Sequence, residues 1–228
     1  MSKNLFVTGT GTDVGKTYVS GLLLKKLKEN GCRGAYFKGA MSGNRRRADG
    51  SLIPGDALQV RTVSGICQPL EEMCPYVYEH AVSPHLASQI EGNPVELERV
   101  RRSFTELCGR YDYITVEGSG GILCPITWTE TEHLLLPELI RALDLGCLLV
   151  ADAGLGTINS VLLTVRYLQA EQIPLRGIVL NHFEPGNLMH EDNRKMCSQL
   201  AGAKVLCCVE DGDQDLRLSP EELLSLYE

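Results

Sequence analysis

The chain has 228 residues, 43% hydrophobic and 22% charged, with a formal net charge of −7. This composition is typical of a globular protein with a sizeable core, and the negative charge argues against nucleic acid or an acidic membrane surface as the main partner. No apolar run approaches the roughly 20 residues of a membrane span. The sequence opens on the strand-like "NLFVTG" without a signal peptide. We therefore expect a cytoplasmic protein with no nucleic-acid partner and no membrane association.

Nine cysteines are spread along the chain, and no two of them form a C-x-x-C pair. Several lie inside apolar runs such as "LGCLLVA", where a free cysteine behaves as a small hydrophobic residue. The odd number and the spacing give no support for a cysteine metal site or a redox motif. They favour a reducing compartment.

Strand-like runs alternate with helical patterns along the whole chain. Strands are predicted over 5–9, 34–39, 113–118, 147–152, 175–182 and 204–209. Helices are predicted over 16–30, 55–65, 83–92, 94–111, 133–145, 158–171, 188–202 and 219–228. This alternation predicts βαβ units and a mostly parallel central sheet with helices on both faces, in one domain over residues 1–228. The longest irregular stretch, 40–54, is expected to be a functional loop.

The first strand runs into "VTGTGTDVGKT", which ends in the Gly-Lys-Thr of a phosphate-binding loop. The common spacing, Gly-x-x-x-x-Gly-Lys-Ser/Thr, would place the first glycine at Thr10, whereas Gly9 stands one residue earlier. The loop follows a predicted strand and opens a predicted helix, as phosphate binding requires. Lys16 is expected to reach the β- and γ-phosphates, and the Thr17 hydroxyl to bind Mg²⁺. The alternative is a glycine-rich turn with an incidental lysine, which fits this context less well.

Polar residues also follow other predicted strands, where parallel strands present their carboxyl ends to a shared crevice. Lys38 ends the strand of "FKGAMSG", Glu117 ends that of "YITVEGSGG", and Asn181 ends that of "GIVLNHF". Asp56 opens a helix in "GDALQV". A solvated lysine, a helix cap and a turn asparagine are alternatives for Lys38, Asp56 and Asn181, whereas an acid at Glu117 is not expected in the core. Asp152 is a weaker rival for the acidic role. Thr17, Asp56 and Glu117 would together form the oxygen set that nucleotide-bound Mg²⁺ prefers.

In order and spacing these motifs resemble the dethiobiotin synthetase family, which has the P-loop NTPase fold. The resemblance runs to about residue 182 and includes "VTGTGTDVGKT", "FKGAMSG", "GDAL", "SPHLAS", "VEGSGG" and "GLGTINSVLLT". The longer phosphate loop is that family's form. The resemblance implies an ATP- and Mg²⁺-dependent ligase that converts 7,8-diaminopelargonic acid and CO₂ to dethiobiotin in biotin biosynthesis. The reaction passes through a carbamate and a carbamic–phosphoric anhydride, so no protein nucleophile is needed.

The resemblance also implies roles for residues at matching positions. It makes Lys16 and Lys38 catalytic and Thr17, Asp56 and Glu117 the metal ligands. It assigns ATP contacts to Thr12, Asp13, Val14, Gly15, Lys16, Thr17, Tyr18, Asp56, Glu117, Gly118, Ser119, Gly120, Asn181, His182, Glu210, Asp211 and Gly212. It assigns substrate contacts to Thr12, Ser42, Gly118, Gly121 and Asn159. It further implies a homodimer in which Asn159 reaches the partner's site.

The sequence departs from the family pattern at three points. Gly39 follows Lys38 where many relatives have proline, Gly11 replaces a commonly acidic residue, and "VEDGDQDL" lacks the usual proline of the segment near adenine.

Two other nucleotide-binding classes are alternatives. A ParA/MinD-like ATPase switch would carry a signature lysine at the position of Gly11, and its membrane-targeting members end in a basic helix, whereas this chain ends in "PEELLSLYE". A cobyrinate-type amidotransferase would need a fused glutaminase domain, for which 228 residues leave no room.

Overall fold

A computed structural model describes residues 2–227 and has an α/β architecture. Its strands are β1 (Lys3–Gly9), β2 (Gly34–Phe37), β3 (Arg45–Arg46), β4 (Leu52–Ile53), β5 (Tyr113–Glu117), β6 (Pro125–Trp128), β7 (His133–Leu135), β8 (Gly146–Asp152), β9 (Leu175–Asn181) and β10 (Val205–Cys208). Its helices are α1 (Lys16–Glu29), α2 (Gly55–Ser64), α3 (Pro84–Ile90), α4 (Leu97–Cys108), α5 (Leu136–Ala142), α6 (Thr157–Ala170), α7 (Leu188–Leu200) and α8 (Pro220–Ser225), with a 3-10 turn at Leu70–Glu72. Within residues 2–227, no helix is long and apolar enough to cross a membrane.

Six strands form one central sheet in the order β10-β9-β8-β1-β5-β2, and every pair in it is parallel. The predicted parallel sheet is therefore confirmed. The strand β1, which leads into the phosphate loop, lies between β5 and β8, with Val7 opposite Glu117 and Gly9 opposite Val150. Because all six strands run the same way, their carboxyl ends lie along one edge of the sheet.

Both faces of the sheet are covered, as predicted. Alternate residues of β1 point to opposite faces: Leu5 and Val7 pack with α1, α2 and α8, whereas Phe6 packs with α4 and α5. A third apolar cluster lies between α6, α7 and the strands β8 and β9. Burial of these continuous apolar strands on both sides places the sheet at the centre of the molecule.

The segment after β5 differs from its prediction. Residues 133–135, predicted as the start of a helix, form β7 and pair with β6 in an antiparallel hairpin. The helix α5 begins only at Leu136, because Pro137 suits a first helical turn and Glu138 accepts a hydrogen bond from the Leu135 N–H at 2.6 Å.

The predicted loop 40–54 is mostly irregular and contains the short antiparallel pair β3 and β4. Asn44 is buried and joins this loop to its surroundings. Its Nδ2 donates to the carbonyls of Met41 and Tyr78, and its Oδ1 accepts from the Gly55 N–H at 2.8 Å. The side chain of Asn44 therefore fixes the start of α2, and with it the position of Asp56.

Candidate active site

A cavity of about 980 Å³ opens at the carboxyl edge of the sheet. It receives residues from the phosphate loop, from the segments after β2, β5, β9 and β10, and from the start of α2 and α3. Its lining is Thr12, Asp13, Gly15, Lys16, Thr17, Tyr18, Lys38, Ser42, Gly43, Asp56, Gln59, Ala81, Val82, Ser83, Pro84, Glu117, Ser119, Gly120, Cys124, Asn181, His182, Asp211 and Gly212. The strand ends that were expected to share one crevice therefore do so.

The phosphate loop wraps closely around its own lysine. Lys16 is buried, and its Nζ donates to the Gly11 carbonyl at 2.7 Å. Burial and the nearby charge of Lys38 lower the pKa of Lys16. A Cβ on Gly9 would lie 2.8 Å from Val14 Cγ2 and 3.0 Å from the Lys16 side chain, so a glycine is needed where the longer loop starts.

Lys38 joins two carboxylates at the floor of the cavity. Its Nζ donates to Asp56 Oδ2 at 2.6 Å and to Glu117 Oε1 at 2.8 Å. Thr17 Oγ1 donates to the same Glu117 oxygen at 2.8 Å. Burial alone would lower the pKa of Lys38, but the charges and hydrogen bonds of Glu117 and Asp56 outweigh it and raise that pKa. Lys38 is therefore a fixed positive charge between two anions.

Glu117 is more deeply buried than the sequence suggests. It is 2% exposed, although an acid was not expected in the core at this position. Its charge is tolerated because the carboxylate is hydrogen-bonded to Thr17 and Lys38 and also accepts from Tyr36 Oη at 3.0 Å. Asp56 lies in the first turn of α2, and its side chain is in direct contact with Lys38.

The donors of this cluster suit Mg²⁺ by their chemistry. Thr17, Asp56 and Glu117 all offer oxygen, the ligand type that Mg²⁺ prefers, and all three belong to one hydrogen-bonded cluster around Lys38. No group of three His, Cys, Asp or Glu side chains between residues 2 and 227 is placed to hold a metal on its own. Two carboxylates and a hydroxyl fit a metal that arrives with nucleotide phosphates, since these supply further oxygens.

A second end of the cavity is formed by Asn181, the last residue of β9, and by residues that follow β9 and β10. Asn181 Nδ2 donates to the Val14 carbonyl at 3.3 Å, while its buried Oδ1 has no hydrogen-bond partner among the described residues. A Cβ on Gly15 would lie 2.0 Å from that Nδ2, and the φ of Gly15 is +91°. Asn181 therefore packs directly on the phosphate loop and keeps one acceptor free.

His182 follows Asn181 in a left-handed backbone conformation, with φ 53°. Its Nδ1 lies 2.8 Å from Asp152 Oδ2. Burial would raise the pKa of Asp152, but the hydrogen bond with His182 and the Gly154 N–H outweigh it and lower that pKa. Asp152, the rival acid, thus belongs to this pair, apart from the cluster around Lys38.

Part of the cavity lining consists of residues that were not predicted to line the site. Ser42 was predicted, and its Oγ donates to the Val82 carbonyl at 2.6 Å. The unpredicted lining residues are Gly43, Gln59, Ala81, Val82, Ser83, Pro84 and Cys124. Ser83 and Pro84 belong to the motif "SPHLAS", Ala81 and Val82 come just before it, and Cys124 comes soon after the glycines of "VEGSGG". A search within and beside these motifs would therefore have found these five.

Five predicted contact residues lie outside this lining: Val14, Gly118, Gly121, Asn159 and Glu210. A Cβ on Gly118 would come within 2.9 Å of the Phe6 ring, so this glycine serves packing. Glu210 forms a salt bridge with Arg217. Asn159 is exposed in the first turn of α6.

Comparisons with known proteins establish the family of the chain. The family described as "AAA domain" matches residues 3–215. The chain is 42% identical over 228 residues to the ATP-dependent dethiobiotin synthetase BioD of Brachyspira hyodysenteriae, with 100% of both chains covered. It belongs to the ATP-dependent dethiobiotin synthetase family. The enzyme of that name from Clostridium novyi is 44% identical over 209 residues, which cover 92% of this chain and 87% of the relative.

Solved structures are similar at the level of the fold. The ParA family ATPase from Chlorobium tepidum TLS gives a TM-score of 0.55 at 13% identity and covers 100% of this chain and 91% of its own. The MinC:MinD cell division protein complex of Aquifex aeolicus gives a TM-score of 0.58 at 13% identity, with coverage of 99% and 86%. These neighbours confirm the predicted P-loop architecture, while the dethiobiotin synthetase relatives determine the family.

Proposed function

We propose that this member of the dethiobiotin synthetase family converts 7,8-diaminopelargonic acid, CO₂ and Mg·ATP to dethiobiotin, ADP and phosphate. The observation that carries the proposal is the cluster of Lys16, Lys38, Asp56 and Glu117 at the end of a phosphate loop, in one large cavity. Such a cluster suits phosphoryl transfer, which needs positioning and compensation of negative charge. The apolar lining residues Ala81, Val82 and Pro84 suit a long aliphatic chain.

The reaction joins two amines of the substrate through one carbon. One amine attacks CO₂ and loses a proton, which gives a carbamate. A carbamate oxygen attacks the γ-phosphorus of ATP, and ADP leaves with the electrons of the broken P–O bond. The second amine then attacks the carbonyl carbon of the anhydride, which closes the cyclic urea and releases phosphate. Each step uses groups of the substrates, so a protein nucleophile is unnecessary.

The protein would supply charge and orientation. Lys16 is proposed to face the β- and γ-phosphates, while the backbone N–H groups at the start of α1 bind the phosphate oxygens. Lys38 is proposed to lie between the carbamate and the transferring group, where its charge stabilises the negative charge that develops in the transition state. Because the pKa of Lys38 is raised, it keeps this charge at neutral pH.

Thr17, Asp56 and Glu117 are proposed to hold Mg²⁺. When bound with ATP, this ion would neutralise charge on the phosphates. The proposal is supported by the shared cluster of these three residues and by their oxygen donors. Asn181 is proposed to read the adenine edge, because its buried Oδ1 remains free to accept a hydrogen bond.

The proposal includes a homodimer in which Asn159 completes the site of the partner. Within one chain Asn159 does not line the cavity. Leu155 and Leu163, before it and after it in the chain, are 93% and 64% exposed. Exposed leucines around the first turns of α6 fit a surface that is covered in a dimer.

The function is tested by incubating the enzyme with diaminopelargonate, ¹³C-bicarbonate and Mg·ATP and analysing the product by mass spectrometry. We expect a product heavier than unlabelled dethiobiotin by one ¹³C, with ATP turnover that requires both co-substrates. ATP turnover that ignores diaminopelargonate and bicarbonate would contradict the proposal and would favour an ATPase switch.

A further inference from the structure

Tyr36 is a fully buried residue of β2, two positions before Lys38. Because side chains alternate along a strand, Tyr36 and Lys38 point to the same face. On the neighbouring strand β5, Thr115 pairs with Tyr36, and Glu117 lies two residues further along on that same face. This register brings the phenol below the carboxylate, and Tyr36 Oη donates to Glu117 Oε2 at 3.0 Å.

The two oxygens of Glu117 have different partners. Oε1 accepts from Thr17 and Lys38, both at 2.8 Å and both lining the cavity. Oε2 accepts from Tyr36, its single hydrogen-bond partner among residues 2–227. A carboxylate bonded through both oxygens has its plane fixed. Burial, together with the charge of Glu117, raises the pKa of Tyr36 well above its ordinary value, so the phenol stays a neutral donor.

Tyr36 is itself held in place by Gln68. The Tyr36 N–H donates to Gln68 Oε1 at 2.7 Å, and Gln68 Nε2 donates to the Tyr36 carbonyl at 3.0 Å. The amide of Gln68 is buried and pairs with the outer edge of β2 as a neighbouring strand would. A continuous set of contacts therefore runs from Gln68 through Tyr36 to Glu117.

We propose that Tyr36 is a positioning residue that orients Glu117 for the metal. The inference rests on the proposed function, in which Glu117 holds Mg²⁺. With Oε2 fixed by the phenol, Oε1 is presented beside Thr17 in the cavity. Without the hydroxyl, the carboxylate can rotate and both oxygens compete for Lys38, so the metal is bound less tightly. Partners that orient a metal ligand typically contribute about 10–100-fold to metal affinity or activity.

The test compares Tyr36→Phe with Tyr227→Phe as a matched control. Tyr227 is also fully buried, and its hydroxyl lies 2.7 Å from Thr115 Oγ1 on β5, the strand of Glu117. Mn²⁺ binding to the intact enzyme with ADP is measured by electron paramagnetic resonance, and thermal unfolding is recorded in parallel. We expect the Mn²⁺ Kd to rise about tenfold or more in Tyr36→Phe and to stay unchanged in Tyr227→Phe.

Activity gives a second readout. The Mg²⁺ concentration for half-maximal turnover should rise in Tyr36→Phe, while kcat at saturating Mg²⁺ changes little. Equal losses of thermal stability in both variants with unchanged Mn²⁺ affinity would show that the hydroxyl is only structural and would overturn the inference.

If Tyr36→Phe folds poorly, the double variant Tyr36→Phe/Glu117→Gln provides a second test. It lacks the buried charge to which the Tyr36 hydroxyl donates. This variant should bind Mn²⁺ as weakly as Glu117→Gln alone. A further loss in the double variant would mean that Tyr36 does not act through Glu117, and the inference would fail. Failure of the proposed function is distinguishable from failure of this inference. If the wild-type enzyme forms no dethiobiotin, its Mn²⁺ binding with ADP can still be measured.

Discussion

The two ends of the cavity are built differently. At the phosphate end, the Lys38 ammonium bonds to the carboxylates of Asp56 at 2.6 Å and of Glu117 at 2.8 Å, so two acids share one positive charge. At the other end, the buried Oδ1 of Asn181 has no hydrogen-bond partner among residues 2–227. His182 lies between the carboxylates of Asp152 and Asp211, at 2.8 and 3.8 Å. The charged groups around Lys38 are paired within the chain, whereas the second end offers an acceptor that no described residue uses. Substitutions at the first end should therefore change the chemistry, and those at the second should change recognition.

The largest expected effect comes from Lys38→Ala. If Lys38 acts on charge that develops during phosphoryl transfer, kcat should fall by roughly 10² or more while the Kd for ATP changes little. Steady-state kinetics and ATP binding by calorimetry measure the two quantities. Lys204→Ala, which breaks an exposed salt bridge to Glu222, is the control and should behave as wild type. A near-normal kcat in Lys38→Ala would remove this lysine from the mechanism.

The substitutions Asp56→Asn and Glu117→Asn test the proposed metal ligands at the phosphate end. Each removes a proposed metal ligand, so the Mg²⁺ concentration for half-maximal activity should rise roughly tenfold or more. Magnesium titrations of turnover check this, with circular dichroism to confirm the fold. An unchanged magnesium requirement in both variants would leave Asp56 as a helix-end acid and Glu117 as a counterion for Lys38 alone.

Mixed dimers test whether the site extends beyond one chain. If Lys38→Ala and Asn159→Ala are each inactive, a mixed dimer would have one site with both lesions and one with neither. Equal co-expression with random pairing should then restore about a quarter of wild-type activity, because half of the dimers are mixed. Differently tagged subunits allow the mixed species to be purified and assayed. No recovery in verified mixed dimers would place Asn159 in its own subunit's site or in neither.

The smallest expected effect comes from Asn181, at the other end of the cavity. Asn181→Ala removes one uncharged hydrogen-bonding group, so the KM for ATP should rise about 2- to 10-fold. Turnover at saturating ATP should stay close to wild type. Since the amide is proposed to read adenine, the KM for GTP should change less than that for ATP. An equal rise for both nucleotides would indicate that Asn181 only supports the phosphate loop through Val14.

Much of the phosphate end could be predicted from sequence. Parallel strands present their carboxyl ends to one edge, so the predicted sheet placed Lys38, Glu117 and Asn181 along the same edge as the loop of Lys16. Sequence patterns could not show that Lys38 sits between both carboxylates, because this depends on Asn44 holding the start of α2. Contacts between residues far apart in the chain have no local signature.

Other features could not be predicted from the sequence, because the local residue pattern indicated a different structure or role. The apolar run 134–136 reads as helix, and only pairing with β6 makes its first residues a strand. Tyr36 stands in an apolar strand and looks like core. Its position two residues before Lys38, on the same face, was the available signal for its contact with Glu117.

The pairing of Gln68 with Tyr36 also has a consequence for association between chains. β2 is the last strand at its side of the sheet, and an open edge of this kind invites further strands to add. Here the outward N–H and carbonyl of Tyr36 bind the Gln68 amide, and the Lys38 N–H donates to the Met73 carbonyl at 2.8 Å. A second chain would have to break these bonds before it could extend the sheet. This border of the sheet is therefore protected against the addition of a strand from a second chain.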